Sequence, residues 1–183
     1  MSKRFGKNFI DVKDIFPVFV GEYPFHQKLR DELVPQLENY PDRQDKETNV
    51  KATMTGWNWN SESVQVKKLK SYILNTIKKE FAYNLVGADP APISFKAFWG
   101  NIYRKGDYTQ LHHHWPHAEF SLVYFLKSKW YYSPLVFTHS GARIRPKEGR
   151  FIIFKSFMNH HVPKHRFNGT RITLSGNIII TDP

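Results

Sequence analysis

Apolar residues recur along this chain with two different periods, and the change falls near its middle. In SESVQVKKLKSYILNTIKKEF, Val66, Leu69, Ile73, Ile77 and Phe81 step by three or four. That spacing predicts one amphipathic helix over Ser61–Phe81, opened by Ser and Glu, with most of its lysines off the apolar stripe. HQKLRDELVPQLEN, His26–Asn39, predicts a shorter helix that Pro35 breaks or kinks. Phe9–Val20 is expected to be extended, Asp42–Asn49 a polar loop, and Lys51–Trp59 irregular and aromatic. After Pro90 and Pro92 the segments become short, β-branched and aromatic: Ile93–Arg104, Glu119–Leu126, Leu135–Thr138, Arg150–Lys155 and Arg171–Ile180. Turn signals such as KGD, KEG and NGT separate them, which predicts strands of a sandwich or barrel. The expected fold is mainly β with N-terminal helices, a jelly roll buttressed by helices. The expected organisation is a single domain over residues 1–183, with 1–90 a helical support region and 91–183 the jelly-roll core.

Composition narrows the function classes. With 15 Phe, 9 Tyr and 5 Trp, the core can be built from large rings. The chain has no Cys, which excludes disulfides and thiolate metal sites and suits a reducing compartment. No apolar run reaches the ~18 residues of a membrane-spanning helix. The opening residues MSKRFGKNFIDVKD lack the apolar core of a secretory signal, so a cytoplasmic protein is expected. The formal charge of +11 would attract anionic partners, nucleic acid or an anionic small molecule among them. The same charge also serves as a plain solubilising surface.

The candidate chemistry lies in the histidines, eight of nine of which fall between 112 and 165. In QLHHHWPH, residues 110–117, His112 and His114 share one face of a strand while His113 points away. Two imidazoles projecting together make an economical chelate, although a histidine-rich surface loop gives the same string. FIIFKSFMNHHVP runs an apolar strand into His160 and His161, one of which can close the site from a neighbouring strand. In TRITLSGN, Arg171, Thr173, Ser175 and Asn177 alternate with Ile172, Leu174, Gly176 and Ile178. If the polar set faces the interior, Arg171 needs an anion there, and a bound carboxylate held with help from the Thr173 hydroxyl would supply it. Trp99, Asn101 and Tyr103 share a strand face, and the Tyr103 hydroxyl is placed to donate to the same anion.

Tyr103, His112-x-His114, His160 and Arg171, in that order, resemble the 2-oxoglutarate and iron(II)-dependent oxygenases. The nearest likeness is to the prolyl 4-hydroxylase-like oxygenases common in phage genomes. It rests on NVKATMTGW, WGNIYRKGDYTQLHHH, FSLVYFL, SPLVF, EGRFIIFKSFMNHHV and TRITLSGN, over roughly residues 49–178. The resemblance implies a double-stranded β-helix, and iron(II) held by His112, His114 and His160. It also implies 2-oxoglutarate held by Arg171 with Thr173 and Tyr103, dioxygen as co-reactant, and hydroxylation of a prolyl or other peptide substrate, while the basic surface equally allows an anionic small molecule or nucleic acid. A phage-encoded chain would work in the host cytoplasm, and the N-terminal third is expected to carry substrate contacts or a homodimer face.

One residue departs from the family's pattern: His114 stands where a carboxylate is usual. A neutral ligand there leaves the metal more positive and makes zinc, which accepts three histidines, a competing expectation. Gly106-x5-His112-x-His114-x4-Glu119 also matches the spacing of a cupin motif, in which Glu119 would be a fourth ligand if residues 115–118 turn. Asp107 is a second nearby acid. A non-enzymatic basic β-sandwich that binds an anionic partner is the remaining alternative.

Overall fold

A computed structural model describes residues 7–41, 48–82 and 92–181. Residues 42–47 of the polar loop expected at Asp42–Asn49, the boundary expected at residue 90 and the first six residues lie outside them.

The N-terminal part gives β1 (Phe9–Ile10), β2 (Val18–Glu22), α1 (His26–Glu38), β3 (Val50–Lys51), β4 (Thr53–Met54) and α2 (Val64–Ile77). The rest gives β5 (Ile93–Tyr103), β6 (Tyr108–His112), β7 (Phe120–Lys127), β8 (Leu135–Phe137), β9 (Arg143–Ile144), β10 (Arg150–Lys155), β11 (His160–Val162) and β12 (Arg171–Ile180). These strands form a seven-stranded sheet, β1-β2-β10-β7-β12-β5-β4, and a five-stranded sheet, β3-β6-β11-β8-β9. Every named strand pair is antiparallel. The architecture is the expected one, mainly β with two supporting helices. The segment before residue 91 does more than support, because its four strands complete both sheets.

Alternation along the central strands decides which side chains reach the site. Phe151 and Ile153 of β10, Ile172 and Leu174 of β12, and Phe98 and Ile102 of β5 join Leu29, Leu33, Leu37, Leu69 and Ile73 in a core under the helices. The residues between them, Ile152, Phe154, Trp99 and Tyr103, join Leu135, Phe137 and Val162 in a second core between the sheets. Large sheets buried on both faces read as such mixed apolar runs. Arg171, Thr173 and Ser175 share the inner parity, so the polar stripe of β12 faces the space between the sheets. The helices can lie close because Gly100 carries no side chain: a Cβ there would come within 2.8 Å of Leu37 Cδ2.

Two helix expectations need correction. Pro35 does not end α1, which runs on to Glu38, where the Asn39 N–H and side chain both bond the Pro35 carbonyl. Pro35 leaves the Asp31 carbonyl without its helical N–H, and the burial of Leu33, Val34 and Leu37 holds α1 together through that gap. The second helix starts at Ser63 rather than Ser61, and the Ser63 hydroxyl accepts from the Val66 N–H at 3.2 Å. Its last turn, Lys78–Ala82, is π-helical, which still brings Phe81 onto the apolar face. No described helix is long and apolar enough to cross a membrane.

Candidate metal centre and carboxylate pocket

The two sheets bring together residues far apart in sequence. Strand β10 ends at Lys155, and a turn carries the chain across to β11, so His160 belongs to the five-stranded sheet and not to the apolar strand before it. There His160 pairs in register with His112 of β6. The next paired residues are Val162 and Thr109, so β6 spends three residues where β11 spends two. This bulge lets Thr109 and His112 both face the cavity while Leu111 is exposed. His114 lies just past the strand, held by its N–H on the Ser156 carbonyl at 2.8 Å.

The three rings converge. Centroids lie 4.8 Å apart for His112–His114, 4.3 Å for His112–His160 and 5.4 Å for His114–His160. One ring nitrogen from each lies within 4.8 Å of the others. Nitrogens each ~2.1 Å from a shared ion stand about 3.0–3.4 Å apart when they converge from one side at right or tetrahedral angles. Closing the cluster on an ion therefore takes a shift of up to about 1.8 Å at the widest pair, divided between two side chains.

Two of the rings are already oriented. His112 Nδ1 donates to the Gln110 carbonyl at 2.8 Å, and His160 Nδ1 to the Met158 carbonyl at 2.9 Å. A carbonyl can only accept, so each Nδ1 carries the proton and each Nε2 keeps its lone pair for a ligand bond. Burial lowers the affinity of all three rings for a second proton, reinforced at His112 by His113, at His114 by His112 and His113, and at His160 by His112 and His114. His114 is held to about 3, by burial first and then by His112 and His113. The set is neutral near pH 7, the state a metal requires.

A pH dependence follows. The unfolded chain binds a proton at His114 near the ordinary value of 6.5, whereas the folded site resists it down to about 3. Stability is thus fully present above about 6.5 and declines as pH falls through that window, because the unfolded state then binds more protons. The metal-free protein's urea midpoint should drop between pH 7.5 and 5, and His114→Gln should make the decline shallower. A midpoint level across that range, or equally steep in the variant, contradicts the burial of an uncharged triad.

Arg171 forms the other end. It is 1 % exposed, and its guanidinium stacks 4.7 Å from the Tyr103 ring and 5.3 Å from the Phe125 ring. None of its three guanidinium nitrogens is within hydrogen-bond distance of a partner among the described residues, and the neighbouring Tyr103 hydroxyl favours its charged form. Native structures rarely leave a buried charge so poorly paired, and an anion from outside the chain would fit here. Tyr103 and Arg171 are register partners on β5 and β12, and Thr173 lies opposite Asn101. The Tyr103 hydroxyl sits 2.7 Å from Thr109 Oγ1, which leaves it able to donate to an anion when Thr109 donates to it.

His112, His114, His160, Arg171, Thr173 and Tyr103 all line one cavity, partly open to solvent, with about 440 Å³ of space between its atoms. No acidic side chain lines it among the described residues. Residues 115–117 do turn, through a cis bond at Trp115–Pro116, but the Glu119 carboxylate pairs with Lys155 Nζ and stays outside the histidine cluster. Asp107 accepts the Arg104 N–H at 2.7 Å and likewise stays outside it. Three contributors had no assigned role in the sequence. Asn101 links Trp99 Nε1 to Ser175 Oγ, both at 3.0 Å; Thr109 meets Tyr103; Phe125 floors Arg171. Asn101 sat on the right strand face in the sequence, whereas the bulge hid Thr109.

Topology and site together describe a double-stranded β-helix with a polar cavity between its sheets. Solved structures share the fold. The viral collagen prolyl hydroxylase vCPH from Paramecium Bursaria Chlorella virus-1, in its 2OG complex, matches with a TM-score of 0.66 at 15% identity, over 87% of this chain and 94% of that one. A Pseudomonas putida prolyl-4-hydroxylase matches with a TM-score of 0.65 at 13% identity, over 90% and 92%. HygX from Streptomyces hygroscopicus, with nickel and 2-oxoglutarate bound, matches with a TM-score of 0.64 at 10% identity, over 90% and 83%. At these identities the likeness is one of fold. No protein-family model matches the chain, and no curated protein matches it in sequence.

Proposed function

We propose that this protein is an Fe(II)- and 2-oxoglutarate-dependent oxygenase of hydroxylase type. One observation carries the reading: a single cavity holds three convergent neutral imidazoles and a buried guanidinium with no hydrogen-bond partner among the described residues. His112, His114 and His160 would hold the metal. Their ring geometry fits an ion, and the Gln110 and Met158 carbonyls fix two of the rings. Arg171 would pair with the distal carboxylate of 2-oxoglutarate, with hydrogen bonds from Thr173 and Tyr103 and the Tyr103 and Phe125 rings excluding water. When bound, iron and 2-oxoglutarate supply the oxidation, in which dioxygen converts 2-oxoglutarate to succinate and carbon dioxide as a substrate C–H bond is hydroxylated. The ligands named for the vCPH and HygX structures support the same pairing on this fold.

Substrate would enter past the indoles. Trp99 contacts the His114 ring at 6.3 Å, and half-exposed Trp57 packs edge-on against Trp99 at 5.0 Å, a path of rings from cavity to surface. A peptide substrate, as for the two prolyl hydroxylases of this fold, and a phage origin, as the motif likeness suggests, belong to the same proposal.

The test is a melting experiment without oxygen. Saturation at about 100 Kd stabilises a protein by ~2.7 kcal/mol. Fe(II) with 2-oxoglutarate should therefore raise Tm by roughly 5–10 °C for a domain of this size. On admission of air, succinate should form as 2-oxoglutarate is consumed. A chain that purifies with zinc, ignores 2-oxoglutarate and forms no succinate is instead a zinc protein on the same histidines.

A further inference from the structure

We propose that the end of the two sheets remote from the cavity mouth is a platform for single-stranded nucleic acid, on which bases stack against Trp130, Tyr131 and Phe167. The platform shares no residue with the cavity or its histidines, so it stands apart from whatever the cavity holds. Three loops build it: 128–134 between β7 and β8, 145–149 between β9 and β10, and 163–170 between β11 and β12. They lie at the end where Lys127 pairs with Ile172, whereas the mouth lies at the level where Trp99 pairs with Ser175. The Tyr132 hydroxyl ties the first loop to the third by donating to the Asn168 carbonyl at 3.1 Å. Tyr132 itself is 3 % exposed and packs on His165 and Phe167, which gives the platform a buried floor.

Above that floor Trp130 is 70 % exposed and Phe167 40 %. Tyr131 bridges them edge-on, at 5.8 Å from Trp130 and 5.0 Å from Phe167. Rings this open contribute little to folding, and exposed apolar patches edged by polar groups mark interaction sites. Here the edge is cationic. Arg145 lies over the Trp130 ring and Lys129 over the Tyr131 ring, both at 5.8 Å, and Lys164 and Arg166 are exposed on the Phe167 loop. None of these four cations forms an ion pair among the described residues. The loops carry one acid, Glu148, which Arg30 and the Ser128 N–H hold, and the nearby Asp107 accepts the Arg104 N–H. A duplex keeps its base faces inside the stack, and an acidic peptide brings charge without flat rings. An unpaired strand offers a π-face to each ring and a phosphate to each cation. The formal charge of +11 would draw such a polyanion in from a distance.

The experiment uses the full chain without added metal and a fluorescein-labelled oligothymidylate of about 12 nucleotides, within the span one small β-fold covers. Anisotropy gives its affinity as NaCl is varied. The wild type should bind this strand at least about tenfold more tightly than a duplex of equal length. Log affinity should fall against log salt with a slope of about −2 to −3, the effect of three or four phosphate contacts. Trp130→Ala should weaken binding by about five- to a hundredfold, the scale of one lost base stack, with Phe167→Ala similar and Trp130→Phe recovering most of the loss. Arg145→Ser with Arg166→Ser should make the slope shallower by about 1.4. Lys68→Ser with Lys78→Ser removes the same charge from exposed positions on and beside α2, and should leave affinity within about twofold. Equal losses from the two double variants would reduce the effect to overall charge and overturn the platform. So would failure to bind the strand at low salt, a Trp130→Ala affinity equal to the wild type's, or equal displacement of the strand by an oligoglutamate of matching charge. Should Trp130→Ala lower the Tm, Phe167→Ala and the salt slopes decide the matter.

Discussion

Replacing Arg171 with Met should make the metal-free protein more stable and at the same time abolish its response to 2-oxoglutarate. The opposite signs follow from one observation: the guanidinium is buried to 1 % exposure and none of its nitrogens is hydrogen-bonded. Burial of an ion costs several kcal/mol even after relaxation. Stacking on Tyr103 and Phe125, at 4.7 and 5.3 Å, returns part of that, of order 0.5–2 kcal/mol per contact. Met fills a similar volume with no charge and keeps favourable contact with both rings. A net gain of about 1–3 kcal/mol is expected, or roughly 2–4 °C in Tm per kcal/mol. The variant should bind 2-oxoglutarate at least about 100-fold more weakly, the scale on which a buried charge-assisted pair is lost. Calorimetry and thermal melting on one preparation check both halves. A less stable variant that still binds 2-oxoglutarate would mean that Arg171 is a structural residue.

That stored cost also shows what the sequence could and could not reveal. Alternation on β12 was legible because the extra residue at each irregularity of its ladders falls on the neighbour, β7 or β5, so Arg171, Thr173 and Ser175 keep one parity against Ile172 and Leu174. The same held for Trp99, Asn101 and Tyr103 on β5. Parity failed where the ladder is irregular. Thr109 and His112 are three apart, so a regular strand would put them on opposite faces, and only the bulge opposite β11 turns both inward. The strand Arg150–Lys155 likewise reads apart from His160 and His161, but the sheet to which each belongs carries no sequence signal. Pro35 does not break α1, because burial of Leu33, Val34 and Leu37 outweighs the one helical bond that proline removes. The first four strands were the least legible, three of them being two residues long, with no periodicity to read.

The largest loss should come from His160, and the neighbouring His161 supplies the control. The two are adjacent in sequence and opposite in surroundings. His160 is 4 % exposed, in ring contact with His112, His114 and Phe154, with its Nδ1 committed to the Met158 carbonyl. His161 points to the other face, where its Nδ1 meets Thr138 Oγ1 at 3.2 Å. Loss of a residue that merely orients a ligand costs 10–100-fold in metal affinity. Removing a ligand should cost more, so His160→Ala is expected to weaken Co(II) binding by well over about 100-fold. It should erase the 2-oxoglutarate-dependent melting shift, while His161→Ala keeps the wild-type values within about threefold. His160→Gln retains polarity and approximate volume, so its folded state, checked by circular dichroism, separates loss of a ligand from loss of packing. If His161→Ala matched His160→Ala in losing metal, the ring geometry drawn from β11 would be wrong in its register. A one-residue slip of that strand exchanges the two faces, and the metal site would then have to be rebuilt around the other imidazole.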